Sequence, residues 1–143
     1  MSLQYSPTEE FILPENLFII GTMNTADRSI ARIDTAMRRR FAFIELYPRI
    51  PPVQGLLTRW LTSRNLPNEG ALLLDLLNSR LTDADAAIGP SYLMKNEIYQ
   101  REDGLERVWQ YEIMSLLEDL FYGQRDLAEL YGLDSLRKAI ARP

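Results

Sequence analysis

The chain has 143 residues, 46% apolar and 25% charged, with 7 Gly, 8 Pro, no Cys and no His, which is the make-up of an ordinary globular chain with one hydrophobic core. The missing Cys and His exclude disulfides, thiol nucleophiles, His bases and Cys/His metal sites, so any chemistry runs on Asp, Glu, Arg, Lys, Asn and hydroxyls. Sixteen basic against 20 acidic residues give a net charge of -4, unevenly spread: six Arg fall in residues 28–49, and ten acids against three Arg in residues 97–134.

Residues 1–13 read as an irregular lead-in, with Met1, Ser2 and Leu3 a candidate expression remnant and Pro7 and Pro14 punctuating the approach. Leu17, Phe18, Ile19 and Ile20 form an apolar run closed by Gly21, the pattern of a short strand buried on both faces of a parallel sheet. After a polar turn, Ile30, Ile33, Ala36 and Met37 recur at helical spacing and Arg38, Arg39 and Arg40 occupy the last turn, where cations suit the helix dipole. Phe41, Phe43 and Ile44 predict a second strand over 41–46. Pro48, Pro51 and Pro52 then mark a linker.

Everything beyond reads helical. Val53, Leu56, Leu57, Trp60 and Leu61 predict an amphipathic helix, and Leu73, Leu76, Leu77 and Leu81 predict another over 69–81. Gly89-Pro90 places a loop and a short turn in 82–95. A long helix is expected over 103–122, stopped by Gly123, and two short helices over 125–131 and 134–141 finish the chain. The apolar run near the start is too short for a membrane span, and no secretory leader is visible, so the expectation is a cytoplasmic protein without membrane contact.

The chemistry concentrates between the first predicted strand and the helix after it, in Gly21-Thr22-Met23-Asn24-Thr25-Ala26-Asp27-Arg28-Ser29. Ligands of open parallel sheets gather at such strand ends, and an Asn there can orient water beside a terminal phosphate. Equally, Asn24 and Asp27 can do no more than satisfy the turn and cap the helix. The arginine triplet has the same two readings: a solvated helix end, or a cation that reaches a neighbouring subunit's nucleotide and accelerates phosphoryl transfer by about 10³ to 10⁵.

The run Pro14-Glu15-Asn16-Leu17-Phe18-Ile19-Ile20-Gly21-Thr22-Met23-Asn24-Thr25-Ala26-Asp27-Arg28-Ser29, with Ile33-Asp34 and Arg38-Arg39-Arg40-Phe41-Ala42-Phe43, closely resembles the McrB-type AAA+ GTPase family, the motor subunits of 5-methylcytosine-dependent restriction systems. Ile88-Gly89-Pro90-Ser91-Tyr92 resembles that family's Ile-Gly-His-Ser-Tyr lid element, with Pro90 in place of the His. The resemblance implies an α-dominant α/β fold: residues 14–48 as the C-terminal part of an AAA+ core, with two short parallel-type strands and one helix, and residues 49–143 as an all-α lid.

It further implies that Asn24 senses the terminal phosphate, with Asp27 catalytic beside it and Thr25 and Arg28 also near the nucleotide. Trans-acting fingers are implied among Arg38, Arg39 and Arg40, the last two leading. In the lid, Ser91, Tyr92 and Lys95 are the implied contacts. The nucleotide is GTP, with ATP open, bound with magnesium in the parent protein.

No Gly-x-x-x-x-Gly-Lys-Ser/Thr loop occurs, nor an apolar strand ending in Asp-Glu, so the chain alone is not expected to hydrolyse or tightly hold a nucleotide. No metal ligand set is expected in it either. The implied partners are further copies in a ring, hexameric in the parent, a McrC-type nuclease subunit, and methylated DNA reached through an upstream domain. The alternative is a non-catalytic interaction or regulatory module that docks on AAA+ rings. Two strands deprived of a shared neighbour are expected to pair directly or through a second copy.

Overall fold

A computed structural model describes residues 2–3, 6–10, 14–23 and 35–141. Near the start, β1 (Ser2–Leu3) and β2 (Ser6–Glu10) pair antiparallel, Ser2 facing Glu10 and Leu3 facing Ser6. This corrects the irregular lead-in. A two-stranded ribbon has only edges, where a proline such as Pro7 costs no ladder hydrogen bond.

The two expected strands are not formed. Residues 17–21 and 41–46 are irregular and solvent-exposed, Phe18 at 88%, Ile20 at 94% and Ile44 at 75%, and they do not pair with each other. The physical reason is that a strand is a property of a pair. Without a neighbour to accept its N–H groups and cover its faces, an apolar run keeps its backbone on water. Between them α1 (Thr35–Arg38) is the described end of the helix expected before the arginines.

The rest of the chain is a helical bundle, as the periodicity predicts. α2 (Leu56–Ser63) starts at Gly55, whose φ of 68° needs a residue without a Cβ. It ends where Asn65 turns left-handed and Leu66 N–H returns to the Leu61 carbonyl, a helix-closing motif that Asn tolerates. α3 (Glu69–Arg80) follows, with Leu73 and Leu77 fully buried. Two single 3₁₀ turns, Ala84–Ala86 and Pro90–Tyr92, occupy the predicted loop before the short α4 (Asn96–Tyr99).

The predicted long helix is present with a difference. α5 (Gly104–Val108) and α6 (Met114–Leu120) are joined by a π-helical turn, Trp109–Ile113. The wider turn accompanies a buried indole: Trp109 is 1% exposed and its Nε1 donates to the Tyr131 carbonyl at 3.0 Å. α7 (Leu127–Tyr131) and α8 (Leu133–Ile140) complete the bundle, α8 packing on both α3 and α7. One core runs through it, with Leu61, Leu73, Leu77, Ile113, Leu117 and Leu136 at its centre.

Arg137 on α8 clamps the outside of this core. Its Nε meets Glu69 at 2.6 Å and its Nη1 meets Glu106 at 2.7 Å, tying α8 to the start of α3 and to α5. The hydrogen bond from Arg137 holds the Glu106 carboxyl below its ordinary pKa, and the bond to Glu69 raises the guanidinium's further above its own.

Candidate functional site

Asn24, Thr25, Asp27 and Arg28 lie outside the described residues. The arginine triplet is described. Arg38 ends α1 and its guanidinium carbon sits 5.6 Å from the centroid of the Phe43 ring, within cation–π range. Arg39 and Arg40 form the exposed turn that follows, and no hydrogen bond, ion pair or ring contact of their side chains is found among the described residues. Two adjacent guanidiniums therefore face solvent on a short turn, where they can reach an anionic group on another molecule.

The lid element is built differently, by burial. Ile88 is 1% exposed, and both of its backbone polar groups are taken by one side chain on α3. Asn78 Nδ2 donates to the Ile88 carbonyl at 3.0 Å, and Asn78 Oδ1 accepts from the Ile88 N–H at 2.8 Å. Asn78 is itself 5% exposed, so these two bonds remove what would otherwise be buried, unpaired amide groups. Held this way, the chain enters Gly89 and the 3₁₀ turn Pro90–Tyr92. Ser91 is exposed on that turn, while Tyr92 packs partly into the core.

Lys95 lies just beyond. Its ammonium is paired with Glu112 on the π-helical turn at 2.9 and 3.1 Å. A carboxylate thus already holds the cation expected to face a nucleotide.

The structure brings Ser91, Tyr92 and Lys95 into one short stretch, and groups Arg38, Arg39 and Arg40 in another. No hydrogen bond or ion pair joins the two groups among the described residues. What spans them is the segment between. Tyr47 Oη makes a long hydrogen bond to Asp85 Oδ1 at 3.5 Å, and Arg49 Nη1 one to the Leu81 carbonyl at 3.4 Å. A narrow notch beside this segment is lined by Pro48, Val53, Leu56, Asp75 and Pro90. Burial raises the pKa of the Asp75 carboxyl above its ordinary value there.

A larger hollow of about 150 Å³ lies between Pro67, Tyr99, Arg101 and the Glu69–Arg137–Glu106 clamp. Among the described residues no group of three Asp or Glu is placed to hold a metal ion, and no helix is long and apolar enough to cross a membrane.

Sequence reasoning missed Asn78 and Glu112. A polar residue beside Leu77 on a leucine-rich helix was a legible signal for the first. The second lies 17 positions from its partner, and nothing local announces it.

The described residues thus form a helical bundle that anchors Ile88 ahead of a partly exposed turn and is preceded in the chain by an exposed arginine turn. Residues 70–129 match the family model described as McrB, alpha-helical lid domain. Over 133 residues the chain is 32% identical to the "Type IV methyl-directed restriction enzyme EcoKMcrB subunit" of Escherichia coli (strain K12), across 84% of this chain and 29% of that protein. Over 117 residues it is 28% identical to the "Type II restriction enzyme BsuMI component YdiS" of Bacillus subtilis (strain 168), across 76% of this chain and 32% of that protein. No solved structure matches it. The chain is thus a homologue of these restriction subunits, with residues 70–129 similar to the McrB lid, and it spans about a third of the length of these relatives.

Proposed function

We propose that this chain is the sensor, arginine-finger and lid portion of a McrB-like AAA+ NTPase, one that drives restriction of methylated DNA together with a nuclease subunit. The observation that carries the reading is the match of residues 70–129 to the McrB lid, following in the same chain the exposed, unpartnered Arg39 and Arg40.

In this reading the nucleotide is GTP, with ATP the other choice, and the parts that grip it are divided. A phosphate-binding loop and the magnesium-holding acids come from sequence other than these 143 residues, which contain neither motif. What this chain supplies is Asn24 and Asp27 toward the terminal phosphate, Thr25 and Arg28 beside them, and a lid turn at Ser91 and Tyr92. Arg39 and Arg40 extend from one subunit toward its neighbour's nucleotide in a ring, a hexamer in the parent. Lys95 is held by Glu112 and contributes less. A McrC-type nuclease and a separate DNA-reading domain are the partners of such a ring in the cytoplasm.

The test uses the ring-forming protein that contains this chain. Arg40→Ala lowers hydrolysis by about 10³-fold or more while nucleotide binding persists, and mixed rings recover activity when a neighbour supplies the arginine. Asn24→Ala abolishes hydrolysis with binding and thermal stability retained. Full activity of Arg39→Ala, Arg40→Ala and Asn24→Ala alike would overturn the reading.

A further inference from the structure

The turn Pro90–Tyr92 is held from beneath at both of its ends. Ahead of it, Asn78 on α3 takes the N–H and the carbonyl of Ile88, at 2.8 and 3.0 Å. Behind it, Tyr99 on α4 donates its hydroxyl to the Leu93 carbonyl at 2.9 Å. Ile88 and Leu93 are 1% and 0% exposed, so residues 89–92 surface between two buried backbone anchors supplied by different helices. The second anchor depends on a glycine: a Cβ on Gly70, in the first turn of α3, would stand 3.0 Å from Tyr99 Oη.

Within the turn little freedom is left. Pro90 fixes its own φ, and the Leu93 N–H bonds to the Pro90 carbonyl at 3.0 Å. Ser91 alone among residues 88–93 is exposed, and no hydrogen bond of its hydroxyl is found among the described residues. A mere connection needs no such support. The turn Ala84–Ala86 just upstream is capped locally, by Asp83 accepting from the Asp85 N–H. At Pro90–Tyr92, by contrast, the core gives up Asn78, its one buried polar side chain among the described residues.

We propose, resting on the nucleotide-binding function proposed above, that Asn78 and Tyr99 are positioning residues which hold this turn preset so that the Ser91 hydroxyl meets the nucleotide. Neither touches the ligand. Both act through Ser91, whose hydroxyl then bonds without the turn first having to be ordered, and the gain appears in affinity. An interaction made alike in the ground and transition states changes KM and leaves kcat in place.

The test uses the ring-forming protein that contains this chain, with fluorescent non-hydrolysable GTP and ATP analogues as probes. Ser91→Ala is expected to weaken binding about fivefold to tenfold with kcat nearly unchanged. Tyr99→Phe, which keeps the ring and loses only the hydroxyl, should weaken it about threefold, and Asn78→Ala about tenfold. In a Ser91→Ala background neither should weaken binding further, although each still lowers stability. Arg137→Met, which loosens the bundle elsewhere, should lower stability and leave affinity alone. Without nucleotide, Asn78→Ala should speed amide exchange at Ile88, and Tyr99→Phe at Leu93, about tenfold relative to α8. Should Asn78→Ala fail to fold, Tyr99→Phe and Ser91→Ala carry the same cycle. Unaltered affinity in Ser91→Ala, or losses from Tyr99→Phe and Ser91→Ala that simply add, would overturn the positioning role while the Arg40→Ala result stood. A ring protein that takes up neither analogue would overturn both readings.

Discussion

Asn78 satisfies both backbone polar groups of Ile88, donating at 3.0 Å and accepting at 2.8 Å across ten positions of chain. A single amide thereby fixes where the lid loop returns to the core. Asn78→Ala would strand a buried N–H and a buried carbonyl together, a loss of about 3 kcal/mol. The expected readout is a drop in Tm of about 10 °C. Leu72→Ala, on the exposed face of the same helix, should change stability by less than about 1 kcal/mol. Comparable losses for the two variants would show that the clasp adds nothing beyond helix content.

The Arg137 clamp predicts a dependence on acid. Glu106 has a folded-state pKa below its ordinary value of 4.5, first because of the hydrogen bond from Arg137. A depressed carboxylate pKa contributes stability above the unfolded value and loses it as pH falls through the folded one. With side chains 35% and 42% exposed, solvent screens the pair, and its worth at neutral pH is about 1 kcal/mol. Urea midpoints of the parent and of Arg137→Met should therefore differ at pH 7 and converge below the ordinary glutamate range. A gap that stays constant through that range would assign the effect to packing by the arginine's stem.

Tyr99 works in the opposite direction of pH. Its hydroxyl donates to the Leu93 carbonyl at 2.9 Å, and burial pushes its pKa from 10.0 up to about 12. The raised value means stability is whole below the unfolded pKa and falls as pH climbs toward the folded one. In an ultraviolet titration Tyr99 should ionise late, near its raised value, and Tyr99→Phe should remove that late step. The same variant loses one hydrogen bond, about 1 kcal/mol. Persistence of the late step in Tyr99→Phe would assign it to another tyrosine.

How far these features could be read in advance depends on whether their cause is local. Leu73, Leu77 and Leu81 announce α3 because helical periodicity is written within a dozen residues. Leu17 to Ile20 and Phe41 to Ile44 look like strands by the same reasoning, yet remain irregular because a sheet requires a neighbour that the described chain does not supply. The π turn was hidden as well: Trp109, Ile113 and Leu117 keep an ordinary helical spacing while the backbone widens around the indole. At the candidate site, the arginines and the Ile88–Tyr92 stretch were legible as motifs. The Asn78 clasp, the Glu112 partner of Lys95 and the Tyr99 bond to Leu93 are contacts made by folding, and residue type alone does not disclose them.

The join between α4 and α5 yields the sharpest steric prediction. Gly104 is buried where α5 starts beneath Ile98, and a Cβ at that position would lie 2.0 Å from the Ile98 carbonyl oxygen and 2.7 Å from its carbon. These are backbone atoms, so no side-chain rotation can relieve the clash. α4 or α5 has to shift, and the second carries Leu105 and Val108 into the core and leads directly into Trp109. In an exposed helix Gly→Ala is favourable by about 1 kcal/mol; here the displacement should outweigh that gain and leave Gly104→Ala destabilised by about 2 kcal/mol or more. Because the moved helix bears the indole that donates to Tyr131, the near-ultraviolet dichroism of Trp109 should change as well. An unaltered tryptophan signal with raised stability would mean that the two helices stand farther apart than their Gly104–Ile98 contact implies.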